Sequence, residues 1–244
     1  MGCPVACCPA CRSVPARRVP GGPVPDPAFA GAAPLLFVLG MAAAGGCLGL
    51  LVDVVVGRIL PHLAGRPTRA QKLTTAVAAA ALCALLAWRF GPAPELPAFI
   101  VLAVIGIQLA RIDIAHHLLP NRLVMPLLGA GIVLLTAASV ALGGWEELVR
   151  ALAGAVILFF FYFILALISP SSLGMGDVKL AAPLGLYLGY LGWSPLFYGG
   201  ALGFVAGGLV SLALVLKNRG NKPKEVAFGP SMLAAALTTA LLSA

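Results

Sequence analysis

Residues 149–168 read VRALAGAVILFFFYFILALI, twenty consecutive positions in which Arg150 is the only charge. At about 1.5 Å of rise per residue, such a run makes a helix about 30 Å long, the thickness of a bilayer's hydrocarbon layer. Working outward, similar apolar runs recur between Gly, Pro and charged breaks. They lie near 34–57, 72–90, 97–112, 122–142, 178–192, 195–216 and 227–243. That makes eight spans; because 178–192 is short and Gly-rich, seven spans and a half-span is the alternative count. The runs are continuous rather than alternating, which argues against a β-barrel. The expected fold class is all-α: a polytopic membrane protein of seven to eight transmembrane helices.

Composition agrees. Of 244 residues, 61% are hydrophobic and 10% charged, and the mean hydropathy is +1.03. A soluble domain is about 45–50% apolar and about 25% charged, so this chain lacks the charges to cover itself in water. The 29 Gly and 20 Pro follow no fixed period, which excludes a collagen-like repeat, and the apolar content excludes wholesale disorder. The net charge of +8 calls for no nucleic-acid partner, since basic residues flanking membrane spans account for it.

Orientation follows from the side on which Lys and Arg accumulate. With the segment after the first span on the inside, that side carries Arg58, Arg66, Arg69, Lys72, Arg111, Arg122, Lys179, Lys217, Arg219, Lys222 and Lys224, eleven of the sixteen basic residues. The other side keeps five of them, together with Asp26, Glu95, Glu146 and Glu147. The first inter-span segment is therefore expected in the cytoplasm, the N-terminus outside, and the C-terminus outside if there are eight spans.

Two domains are expected. Residues 1–33 form a Pro-, Gly- and Cys-rich tail, read as disordered, and residues 34–244 form the membrane domain. Cys3, Cys7, Cys8 and Cys11 include one C-x-x-C, but a distant second ligand pair, the usual mark of a zinc site, is missing. The cysteines are therefore taken as incidental, and no metal or cofactor is expected. Cys47 and Cys83, inside apolar runs, read as small packing residues.

In so apolar a chain, acids at span ends mark function by default. Asp113 follows the third span, in Arg111-Ile112-Asp113 through Leu119-Pro120-Asn121. Asp177 lies in Gly174-Met175-Gly176-Asp177-Val178-Lys179, at the end of the sixth. The span order puts both carboxylates at the cytoplasmic membrane edge, although 64 residues separate them. Like charges brought together cannot both ionise cheaply, so such a pair shares one proton. The ionised partner can take a proton from water while the neutral one hydrogen-bonds a carbonyl. Taken singly, each Asp is simply a helix-end residue facing headgroups; two on one face point to chemistry. The third span-end acid, Asp53, reads as structural, paired with Arg58. His116 and His117 read as interfacial loop residues.

These segments resemble the type IV prepilin leader peptidases, membrane aspartyl proteases with a Gly-x-Gly-Asp motif. Gly49 through Arg58 and Pro61 is similar to the family's first-span pattern, although Asp53 stands where the family usually shows Asn. Ala227-Phe228-Gly229-Pro230 is similar to its Phe-Gly-Pro before the last span. The resemblance covers about residues 34–244. It implies removal of a basic leader from prepilin or pseudopilin precursors at the cytoplasmic face of the plasma membrane. Asp113 and Asp177 would be the catalytic pair, supported by Pro120, Gly174, Gly176, Lys179, Gly229 and Pro230. Lys179 would bias the pair's charge or, more blandly, meet headgroups. Many members carry a long loop with two C-x-x-C pairs after the first span and also N-methylate the new pilin terminus. Here the segment from Gly57 to Gln71 is short and has no Cys, so methyltransferase activity lacks its usual element and the chain resembles the shorter, peptidase-only members. Two other classes compete. A proton- or cation-coupled transporter would use the same acids near the middle of the membrane and show an inverted repeat, and none is evident. A non-enzymatic assembly subunit would tolerate loss of both carboxylates.

Overall fold

The computed structural model describes residues 32–59, 68–168, 174–217 and 228–243. The cysteines of the tail, Pro61, Arg66, Arg219, Lys222, Lys224, Glu225 and Ala227 lie outside the described residues. Among those described, every regular element is an α-helix: α1 Ala32–Ile59, α2 Arg69–Phe90, α3 Leu96–His116, α4 Asn121–Leu142, α5 Trp145–Ile168, α6 Met175–Leu191, α7 Trp193–Lys217 and α8 Gly229–Ser243. Six of them are long and apolar enough to cross a membrane, while α6 and α8 have 17 and 15 residues. The protein is an all-α, multi-pass membrane protein.

Local chemistry explains the helix limits. Thr68 and Gln71 form a reciprocal capping box that starts α2. Gly91 and Gly143 end α2 and α4 with φ of 62° and 71°, a region that suits Gly because it has no Cβ. Glu146 and Glu147 fall in the first turn of α5, where acids complement the helix dipole. The third helix departs most usefully from expectation. Its apolar run stops at Ile112, yet the helix continues to His116, so Asp113 lies inside the last turn rather than after it.

The interior is built around α3 and α6. Twelve of the seventeen residues of α6 are buried, because α4, α5, α7 and α8 all pack on it. A helix enclosed by protein makes little lipid contact and so has no hydrocarbon thickness to match; its 17 residues suffice. The α5–α6 contact is backbone to backbone. A Cβ at Gly154 would stand 2.6 Å from the Gly185 carbonyl oxygen, and one at Gly189 2.9 Å from that of Arg150. Small residues permit this approach, the main source of dispersion attraction between helices in lipid. On α2, Cys83 is fully buried as expected, whereas Cys47 lies on the exposed face of α1.

Long-range bonds define two ends of the bundle. At one end Arg89 donates to the Leu241 carbonyl (2.7 Å), and Arg150 donates to those of Gly189 and Tyr190 (2.8 Å each), closing the C-termini of α8 and α6. At the other end Arg122 reaches the Ile59 carbonyl at 3.2 Å and Lys179 reaches Asn121 Oδ1 at 3.1 Å. The second end carries the candidate site.

Candidate active site

Asp113 is on the last turn of α3 and Asp177 is the third residue of α6. They are 3% and 6% exposed, unusual for carboxylates without a full ion pair. Near the far end of the bundle, the rings of Phe99 on α3 and Tyr187 on α6 meet edge to face, 5.7 Å apart. From that contact α3 runs 14 residues to Asp113 and α6 runs back 10 residues to Asp177. These are about 21 Å and about 15 Å of helix, so both acids arrive at the same end. The carboxylates are close enough to bear on one another electrostatically.

Their surroundings differ. Asp113 Oδ2 accepts a hydrogen bond of 2.9 Å from the Gly229 backbone N–H. Gly229 opens α8, so this N–H has no partner within its own helix, and a carboxylate there also complements the helix dipole. Pro230, next in the helix, lacks an N–H where none is needed. Asp177 lies against the Gly174 backbone N–H at the α6 N-cap. Its Oδ1 is buried without a hydrogen-bond partner among the described residues. A buried oxygen without a partner is costly; protonated, it would donate to a substrate carbonyl, and ionised, it would accept from a water. One carboxylate held by a backbone donor beside another with a free oxygen suits division into base and acid.

The expected supporting residues are largely brought together. The left-handed His117 (φ 52°) closes α3, its N–H bonding the Asp113 carbonyl at 2.8 Å, and Pro120 caps α4 in an extended conformation. Both His116 and His117 are exposed. The turn between them and α4 inserts Leu119 between the first turns of α6 and α8. A Cβ at Gly176 would stand 2.9 Å from Leu119 Cβ, and one at Gly229 would stand 3.4 Å from Leu119 Cδ1. Glycine at both positions lets the two N-termini close around Leu119. Lys179 does not reach the carboxylates through any hydrogen bond; its ammonium ties α6 to Asn121 at the start of α4.

The sequence reading missed a polar cluster behind Asp113. Asp53 pairs with Arg111, not Arg58: their N···O distance is 2.5 Å. It also accepts from Gln108 Nε2 at 2.8 Å and from Thr75 Oγ1 at 2.7 Å. Positions 53 and 58 are five apart on one helix and do not share a face, so the local partner loses to one from α3. Gln108, a lone amide in an apolar run, was the available signal. Tyr162 was also missed. It is fully buried within electrostatic reach of Asp177, and its hydroxyl donates to the Gly200 carbonyl at 3.1 Å.

Comparison with known proteins centres on this region. Residues 100–212 match the model of the type IV leader peptidase family. Among curated proteins, the chain is similar to prepilin leader peptidase/N-methyltransferases. The one from Aeromonas hydrophila is 32% identical over 161 residues, 65% of this chain and 52% of that protein. The one from Klebsiella pneumoniae is 35% identical over 128 residues, covering 52% and 55%. The one from Xanthomonas campestris pv. campestris is 31% identical over 167 residues, covering 68% and 57%. The chain thus spans about half the length of the curated relatives it matches. No solved structure gives a significant match.

Proposed function

Because residues 100–212 match the type IV leader peptidase family, we propose that the chain is a member of it, an aspartic endopeptidase that cuts the leader from type IV prepilins or pseudopilins. The observation that carries the reading is the convergence of Asp113 and Asp177, both buried, at one end of the bundle. Asp113, held by the Gly229 N–H, takes the proton of the attacking water. Asp177, protonated on Oδ1, hydrogen-bonds the scissile carbonyl and passes its proton to the leaving amine. The pair then returns to its singly protonated state, and the step requires only water. The site faces the cytoplasm of the plasma membrane, since Arg58, Arg69, Lys72, Arg111, Arg122 and Lys179 sit at its end. A basic leader meets it there while the apolar helix of the substrate stays in the bilayer. Methylation of the new terminus is not part of the proposal, because the segment between α1 and α2 has no cysteine pair. Acids at the ends of their helices, not the middle, also speak against the transporter reading.

Membranes containing the protein, mixed with a full-length type IV prepilin, test this directly. D113N and D177N are each expected to insert normally and to leave the prepilin uncut. Processing at the unmutated rate by either variant refutes the assignment.

A further inference from the structure

Resting on that reading, a second group of residues bears on the site from behind. The hairpin α1–α2 precedes residue 100, where the family match begins. It meets α3 through Asp53, which is 5% exposed and carries three side-chain hydrogen bonds. Thr75 Oγ1 donates from α2, and Gln108 and Arg111 donate from α3. Arg111 Nη1 also bonds Gln108 Oε1 at 3.2 Å, tying the two α3 residues to each other. Gln108 and Arg111, three apart, share one face of α3. Asp113, two positions further, points to the other side, toward α8. The last two turns of α3 are therefore gripped on one face by the Asp53 carboxylate while the opposite face presents the dyad acid to Gly229.

Nearby contacts act in the same direction. Arg122, at the start of α4, donates to the Ile59 carbonyl at the end of α1. The α3–α4 turn that carries Leu119 is thus anchored to α1 on both sides, through Arg111 and Arg122. The Asp53 carboxylate holds two donors on α3 and one on α2, and a buried polar network satisfied in this way rigidifies the contact between helices. We propose that Asp53 is a positioning residue for the peptidase reaction: through Gln108 and Arg111 it sets the α3 terminus so that Asp113 stands at the Gly229 N–H and opposite Asp177.

The experiment uses the full chain in detergent–phospholipid micelles with a purified type IV prepilin, measuring kcat, KM and the thermal unfolding midpoint. D53A is expected to lower kcat about 10- to 100-fold, the scale of an ångström of misplacement at a reacting group, with KM within about twofold because substrate contacts persist. D53A/R111M separates positioning from mere support, since replacing both charges by apolar groups restores stability in other buried pairs. Its unfolding midpoint is expected to recover while kcat stays low. Recovery of kcat together with stability, or a loss seen only in KM, overturns the proposal. Should D53A fail to accumulate, D53N carries the test. Asn keeps the volume but loses the ion pair, so a smaller fall in kcat is expected and an unmutated kcat refutes the role. D113N is run alongside. If it processes prepilin, the peptidase reading falls and this inference with it; if it is inactive while D53A keeps full kcat, the inference falls alone.

Discussion

Replacing Gly229 with Ala isolates the contact that holds the Asp113 carboxylate. The new Cβ would stand 2.7 Å from Asp113 Oδ2 and 3.2 Å from its Cγ, whereas ordinary contact begins near 3.4 Å. The carboxylate must then retreat by roughly 0.7 Å, the difference between those distances. Retreat along the existing 2.9 Å bond stretches it to about 3.6 Å, outside hydrogen-bond range. A hydrogen bond to a charged group contributes about 1.5–3 kcal/mol, which corresponds to about 10- to 100-fold in rate if the bond serves the transition state. Stability should change little. Gly229 does not have a positive φ, and Ala is a better helix former than Gly, so the local crowding is partly offset. The assay is prepilin processing by purified protein, with the unfolding midpoint measured in parallel. G208A serves as the control, because a Cβ there meets nothing within 4 Å. Processing by G229A at the rate of G208A would refute the role given to the Gly229–Asp113 bond.

Other outcomes concern the scaffold. R150M removes the donors that close the end of α6 at 2.8 Å each. It should cost about 2–4 kcal/mol of stability, seen as a lower unfolding midpoint, while folded protein keeps its kcat because Arg150 lies at the far end. G185L drives a side chain into the Gly154 carbonyl; α5 and α6 must separate, and inserted, protease-resistant protein should be largely lost. T68A removes one half of the α2 capping box and should lower stability by about 1 kcal/mol, measured in denaturant, with processing unchanged.

The helices were legible because hydrophobic length is a local property. Each apolar run was written in consecutive residues, and the breaks at Gly91, Pro120 and Gly143 act through their own backbone preferences. Helix ends were less legible where a distant group intervened. Asp113 ended an apolar run, so α3 was expected to stop before it; the helix goes on to His116, its last turn closed by the His117 N–H on the Asp113 carbonyl, and Gly229, 116 residues away, supplies the donor that the buried carboxylate needs. Asp53 illustrates the same limit. Arg58 was its nearest basic neighbour in the chain, but Arg111 and Gln108 reach it from α3. The bond from Lys179 to Asn121 at the start of α4 was likewise illegible, since it joins residues 58 apart.

By itself, then, the sequence determined that the chain is a helical membrane protein. It also singled out two acids whose cost in that setting marked them as candidates, since desolvation penalises a charge wherever the chain places it. Only the tertiary structure decided how those acids differ. Asp113 received a backbone donor from α8, Asp177 kept an oxygen with no partner among the described residues, and the hairpin outside the family match was fastened to α3 through Asp53. Those relations depend on which helix ends meet. Contacts between helices arise from close packing of small residues and from satisfying buried polar groups, and neither can be read along a single run of sequence.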